Sequence, residues 1–245
     1  MTLLLLAGTG DARRIAQGLA DLEIDARASL AGVTREAAAL ALPVRIGGFG
    51  GDEGFRAFLR TEGITAVLDA THPFAARITG RSARICAEEG VPYLYHLRPA
   101  WVAGPEDDWT QIDREEDAAL HIPPTATVFL GTGRKSLERF SNLEGRRVIC
   151  RQIDPPTAPF PFEGGEFLIG RPPFSVARER DLFSQLGVDV LVVKNAGGAA
   201  SRTKLTAAAD LGLRVLMIRR PPPPAAEIVD TVAGALEWAR RHGGR

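Results

Sequence analysis

Short apolar runs that end at glycine or at small polar residues alternate along this chain with stretches whose apolar positions recur at helical spacing. Leu3–Ala7 reads as a buried strand and Ala12–Leu22 as an amphipathic helix with Asp11 near its start. Ile24–Ser29, Val44–Ile46, Ala66–Asp69 and Tyr93–His96 read as further strands. Asp52–Glu62 and Ala76–Glu89 read as helices stopped by Gly63 and Gly90. In the second half Thr127–Leu130, Val148–Arg151, Phe167–Ile169, Val190–Val193 and Val215–Ile218 read as strands, and Val176–Leu186 and Lys204–Leu211 as helices. Arg134–Phe140 starts another helix, and Glu227–Arg241 reads as a terminal helix behind the Pro221–Pro224 stop.

This alternation implies parallel sheets with helices on both faces and ligands at the carboxyl ends of the strands. The plan occurs twice, because Ala7-Gly8-Thr9-Gly10 is matched by Leu130-Gly131-Thr132-Gly133. The expectation is an α/β protein of two Rossmann-like parallel-sheet domains facing a central cleft, residues 1–112 and 113–245. The boundary falls somewhere within Pro99–Pro124, and a terminal element crossing between domains would leave no mark in the sequence.

Composition narrows the partners. Lys and Arg total 30 and Asp and Glu total 30, so no global charge excess points to nucleic acid or to an anionic membrane. The two cysteines, Cys86 and Cys150, lack metal or disulfide spacing and fit a reducing compartment. The Leu3–Ala7 run is too short for a membrane span and has no basic segment before it, so a cytoplasmic protein is expected.

The first strand runs into Gly8-Thr9-Gly10-Asp11-Ala12-Arg13, a turn that offers backbone N–H groups and a helix N-terminus to a phosphate. Arg13 stands where a third glycine is usual and adds a cation there. An NAD site has an acid about 20 residues past the glycines to bind the ribose 2′-OH. Here that place holds Ser29-Leu30-Ala31-Gly32, with Arg27 and Arg35 close in sequence. Small donors and arginine suit a 2′-phosphate, so NADPH is the expected cofactor. Gly47-Gly48-Phe49-Gly50-Gly51 ends the third strand, where Gly48 and Gly50 permit close approach and Phe49 could cover a flat ring or sit in the core.

Asp69-Ala70-Thr71-His72-Pro73-Phe74-Ala75 brings a carboxylate, a hydroxyl and an imidazole to the sheet edge where a nicotinamide would lie. Asp69, Thr71 and His72 are the catalytic candidates, with His72 as a general acid or, with Thr71 and Pro73, as the wall behind the ring. The chain has no Tyr-x-x-x-Lys pair, no G-x-S-x-G elbow, no phosphate-binding G-x-x-x-x-G-K loop and no metal-ligand spacing. Arg98, Arg134, Lys135, Arg151, Arg171, Lys194 and Lys204 cluster after strands or at helix starts, with Asn195, Gly197 and Gly198 beside Lys194. As a set they point to a substrate with several carboxylates.

The glycine turn, Ser29-Leu30-Ala31-Gly32, the Gly47–Gly51 segment, the Asp69–Ala75 segment, Arg98-Pro99-Ala100-Trp101 and Lys194-Asn195-Ala196-Gly197-Gly198 followed by Lys204 together resemble the precorrin-6A reductases of cobalamin biosynthesis. The resemblance runs over nearly the whole chain in one order. It implies NADPH-dependent reduction of one macrocycle double bond of precorrin-6A to give precorrin-6B, with hydride passing to a ring carbon and a proton to its neighbour. NADPH is then expected on the first domain and the polycarboxylated tetrapyrrole on the second, in a monomer. Val33 departs from relatives that carry Arg near this point, which leaves the 2′-phosphate to Arg35, or to Ser29 and backbone. Three alternatives stand beside it: a cobalt-precorrin-6A reductase, a reductase of a small ketone or imine, and a non-catalytic dinucleotide- or tetrapyrrole-binding module. The scattered cations speak against the small-molecule reductase.

Overall fold

The computed structural model describes residues 1–32 and 40–243. Arg35, expected at the cofactor, lies outside the described residues. The chain divides into two compact units, one made of Met1–Pro99 with Pro221–Arg245, the other of Ala100–Arg220.

In the first unit the strands are β1 (Thr2–Leu6), β2 (Ala26–Leu30), β3 (Val44–Ile46), β4 (Ile64–Asp69), β5 (Tyr93–His96) and β12 (Glu227–Val229). They form one six-stranded sheet in the order β12-β5-β4-β1-β2-β3, and every pairing is parallel. β1 is an unbroken apolar run because it is covered on both sides. Leu3 and Leu5 join the core that holds Ile15, Leu19 and Trp238, whereas Leu4 and Leu6 join the core of Phe55, Leu59 and Ile85. The covering helices are α1 (Gly10–Asp21) and α6 (Val232–His242) on one face, α2 (Gly51–Thr61) and α3 (Ala76–Glu89) on the other. Gly54 lets the first turn of α2 press on the chain before it, since a Cβ there would stand 1.7 Å from the Phe49 carbonyl oxygen.

The second unit repeats the layout with β6 (Trp109–Ile112), β7 (Thr127–Leu130), β8 (Arg147–Gln152), β9 (Gly165–Ile169), β10 (Val190–Lys194) and β11 (Arg214–Ile218). Its parallel sheet has the order β6-β11-β10-β7-β8-β9. Helices α4 (Val176–Leu186) and α5 (Thr203–Asp210) cover the face that carries Phe129, Leu191 and Val193. The segments Glu115–Leu120 and Arg134–Leu143 are both 3₁₀ helices. The α-helical start expected at Arg134–Phe140 is therefore wound more tightly than an α-helix.

The division differs from the expected 1–112 and 113–245. Trp109–Ile112 pairs with β11 and belongs to the second unit. Glu227–Val229 is a strand on β5, not the first turn of a terminal helix, and α6 begins only after Thr231, whose hydroxyl accepts the Gly234 N–H. The chain thus passes from one unit to the other twice, near Pro99 and near Pro221.

Candidate functional site

In the first sheet the strand order reverses between β1 and β4, and the loops that follow both strands leave from the same edge. Thr9 ties the two loops together. Its hydroxyl accepts the Ala12 N–H at 3.1 Å, capping α1, and donates to the Ala70 carbonyl at 2.9 Å. Gly8 and Gly10 are exposed, and a Cβ on either would meet open space. Arg13 is also exposed, and its backbone N–H bonds the Thr9 carbonyl at 3.4 Å. Because position 13 points outward, the third glycine of the usual pattern is not needed here; buried Ala12 makes the close approach. Asp11 is already engaged, with Arg14 at 2.5 Å, His96 Nε2 at 3.3 Å and Arg98 at 3.4 Å. Burial alone would raise its carboxyl, but the hydrogen bonds from Arg14 and His96 and the Arg98 charge outweigh it, so it titrates below the usual range.

The end of β2 carries no acid. Ser29 is buried there, Leu30 is half-buried, and Ala31 and Gly32 are exposed. Parallel pairing sets Arg45 of β3 directly beside Ser29, and its guanidinium donates to the Ser29 hydroxyl at 3.3 Å. The same group donates to the Gly47 carbonyl at 2.8 Å and the Gly48 carbonyl at 2.9 Å, and lies 4.2 Å from the centre of the Phe49 ring. Phe49 itself is 7% exposed and packs edge-on against Phe55 and Phe58. Of the two positions expected for Phe49, the structure gives the core one, and Arg45 covers the ring. Sequence reasoning missed Arg45, because its link to Ser29 runs through strand register and not through chain distance.

The loop after β4 is shaped from within. Asp69 is fully buried, accepting the Thr71 N–H at 2.9 Å and the Tyr93 hydroxyl at 2.7 Å. Burial raises its carboxyl above the usual range, although the hydrogen bonds from Thr71 and Tyr93 oppose the shift. The Thr71 hydroxyl is 3.0 Å from that of Thr79. Asp69 and Thr71 are therefore turned inward and fix the loop, which leaves His72 as the member of the trio that is not buried. His72 Nδ1 accepts the Phe74 N–H at 3.2 Å, so the neutral imidazole carries its proton on Nε2. Beside it Pro73, Thr79, Tyr95, Leu97 and the Pro221–Pro224 run line a hollow of about 100 Å³.

In the second unit the expected cations divide. Arg134 and Lys135 are exposed at the start of the 3₁₀ segment 134–143, and Arg171 is exposed 3.9 Å from Asp154. Lys194 donates to the Ser136 hydroxyl at 2.9 Å and lies 3.2 Å from Glu115. Arg151, its side chain 9% exposed, is committed, with its two terminal nitrogens on Glu179 at 2.6 and 2.8 Å and its guanidinium over Phe174. Asn195 is likewise committed, accepting the Trp101 N–H at 2.8 Å and donating to the Trp101 carbonyl at 2.9 Å. The Trp101 indole donates to the Gly198 carbonyl at 3.0 Å. The Trp101 and Lys194–Gly198 segments are thus interlocked, with Asn195, Gly197 and Gly198 serving that lock. Burial, and then the nearby Arg151 charge, push the Lys204 ammonium down to about 8. Arg98 lies in the first unit, on Asp11.

Residues 2–240 match the family model described as precorrin-6x reductase CbiJ/CobK. The chain belongs to the precorrin-6x reductase family. It is 44% identical over 239 residues to a precorrin-6A reductase of Rhodococcus erythropolis, covering 96% of both chains. It is 40% identical over 242 residues to that of Rhodobacter capsulatus, covering 98% of this chain and 96% of the relative. Among solved structures it is similar to the CobK precorrin-6A reductase, with a TM-score of 0.95 and 40% identity over 100% of this chain and 98% of the other. Among the described residues of this precorrin-6x reductase no His, Cys, Asp and Glu cluster could hold a metal, and no helix is long and apolar enough to cross a membrane.

Proposed function

We propose that this chain reduces one double bond of precorrin-6A with NADPH, giving precorrin-6B in cobalamin biosynthesis. What supports the reading most is end-to-end similarity to precorrin-6A reductases together with a first sheet edge that fits a 2′-phosphorylated dinucleotide. When bound there, NADPH supplies a hydride to a macrocycle carbon, and the neighbouring carbon takes a proton. The open backbone of Gly8-Thr9-Gly10 and the N-terminus of α1 receive the pyrophosphate, with Arg13 as the nearby cation. Ser29 and Arg45 hold the 2′-phosphate, where a carboxylate would repel it. Asp69, Thr71 and Tyr93 hold the loop so that His72 and Pro73 keep their places beside the ring. His72 donates a hydrogen bond from Nε2, and a neutral imidazole is too weak an acid to be the main source of the proton.

Arg98, Arg134, Lys135, Arg171, Lys194 and Lys204 receive the carboxylates of the macrocycle, whereas Arg151 and Asn195 act on shape alone. The relatives named above are reductases of precorrin-6A rather than of its cobalt form, which favours the metal-free substrate. The test is an anaerobic titration with NADPH and with NADH, followed by precorrin-6A, watching nicotinamide and macrocycle absorbance together. NADPH consumption in step with the macrocycle change is expected. Tight NADPH binding without turnover would overturn the assignment and leave a binding module.

A further inference from the structure

The second glycine turn repeats the first in sequence but not in its hydrogen bonds. Thr9 has its hydroxyl satisfied as donor and as acceptor, while the buried hydroxyl of Thr132 has no partner. Gly133 follows at φ +73°, a conformation that suits glycine, and the 3₁₀ segment 134–143 starts there without a side-chain cap.

Strand register shows what else lies along this edge. Leu130 pairs with Cys150 on β8 and with Val192 on β10. Two residues further along β8 and β10 stand Gln152 and Lys194, and Thr132 follows just past the end of β7, after Gly131, whose N–H still bonds the Val192 carbonyl at 2.9 Å. Side chains alternate across a sheet, so Gln152 and Lys194 belong to the same face, and Thr132 leaves the strand that runs between theirs. Gln152 is 6% exposed, yet among the described residues neither its amide nitrogen nor its amide oxygen has a partner. A buried primary amide without hydrogen bonds is costly, and such groups are normally paired with protein, water or ligand. Lys194 supplies charge at the other end of the row, held by Ser136 and Glu115. Glu115 is also 3.3 Å from Arg139, and Arg134 and Lys135 open the adjoining segment.

We propose that Thr132, Gln152 and Lys194 form a socket for one carboxylate arm of the macrocycle, a role that rests on the substrate class proposed above. The Thr132 hydroxyl and the Gln152 amide N–H donate to the carboxylate, and Lys194 balances its charge. The Gln152 oxygen accepts from a water carried in with the carboxylate.

The test is binding of precorrin-6A in the absence of NADPH, read from macrocycle absorbance, for the wild type, Gln152→Leu and Thr132→Val. Both variants are expected to bind precorrin-6A about ten- to a hundredfold more weakly, the range for a hydrogen bond to a charged group. NADPH affinity is expected to be unchanged, and the unfolding midpoint of Gln152→Leu the same or higher, because an unpaired amide has been removed. A merely structural amide would instead lower the midpoint and leave macrocycle affinity alone. If the wild type binds and turns over precorrin-6A and both variants bind it equally well, the socket is wrong and the substrate assignment stands. If the wild type does not bind precorrin-6A, the assignment fails and takes the socket with it.

Discussion

Arg45 shows how much a single register pairing can decide. Its guanidinium is stacked on Phe49 and fastened to two carbonyls, so it is presented to Ser29 with little freedom left to lose. Arg45→Ala is expected to raise the NADPH KM about tenfold or more while hardly changing that for NADH, measured as the ratio of the two. His72→Ala is expected to lower kcat less than tenfold; a loss near 10⁴-fold would mark it as the proton donor after all. Lys204 gives a pH signature. Its ammonium titrates near 8 when folded, against an ordinary 10.5, so the folded state carries a penalty below pH 8 that fades as the pH rises towards 10.5. Lys204→Met is therefore expected to be more stable than the wild type at pH 7, with the gap closing by pH 10.5, measured from denaturant midpoints at both values.

At this scale the sequence was informative about residue type and silent about partners. The missing acid at Ser29 was visible, but Arg45 comes from the neighbouring strand. Arg151 and Lys194 look alike in the chain. Only the structure separates them, sending one to Glu179 and the other to Ser136.

Among the elements, β8 and α4 are clamped by the Arg151–Glu179 pair, in which the side chains are 9% and 1% exposed. Removing one partner leaves a buried charge alone. Glu179→Gln is accordingly expected to cost about 3–5 kcal/mol in denaturant unfolding, a loss that a substrate-binding arginine would not bring. The central strands were legible because burial on both faces makes them continuous apolar runs, as in Leu3–Leu6. Two of the four end strands were not. Trp109-Thr110-Gln111-Ile112 and Glu227-Ile228-Val229 are short and mixed, since an edge strand has less to bury. Helical spacing in α6 extended by chance back through Glu227, and the Thr231 cap was the signal that should have stopped it.

For the whole molecule the two chain crossings matter most. The segment 100–220 contains every strand of the second sheet, whereas the first sheet needs β12, and its core needs Trp238 of α6. A fragment of residues 100–220 is expected to fold alone, and a fragment of residues 1–112 to remain unfolded. Far-UV circular dichroism with a cooperative denaturant transition, present in one and absent in the other, checks both.

The same wiring orders events on the ribosome. The first sheet begins to emerge before the second but is completed after it, because its closing strand and covering helix are translated after every strand of the second sheet. At about 5–20 residues per second, the half-built sheet waits roughly 10–30 s with one edge and part of one apolar face uncovered. The later-born sheet is finished during that wait. Synthesis thus holds a built-in interval in which the first sheet exists only in part, and chaperones have their best opportunity to act on it.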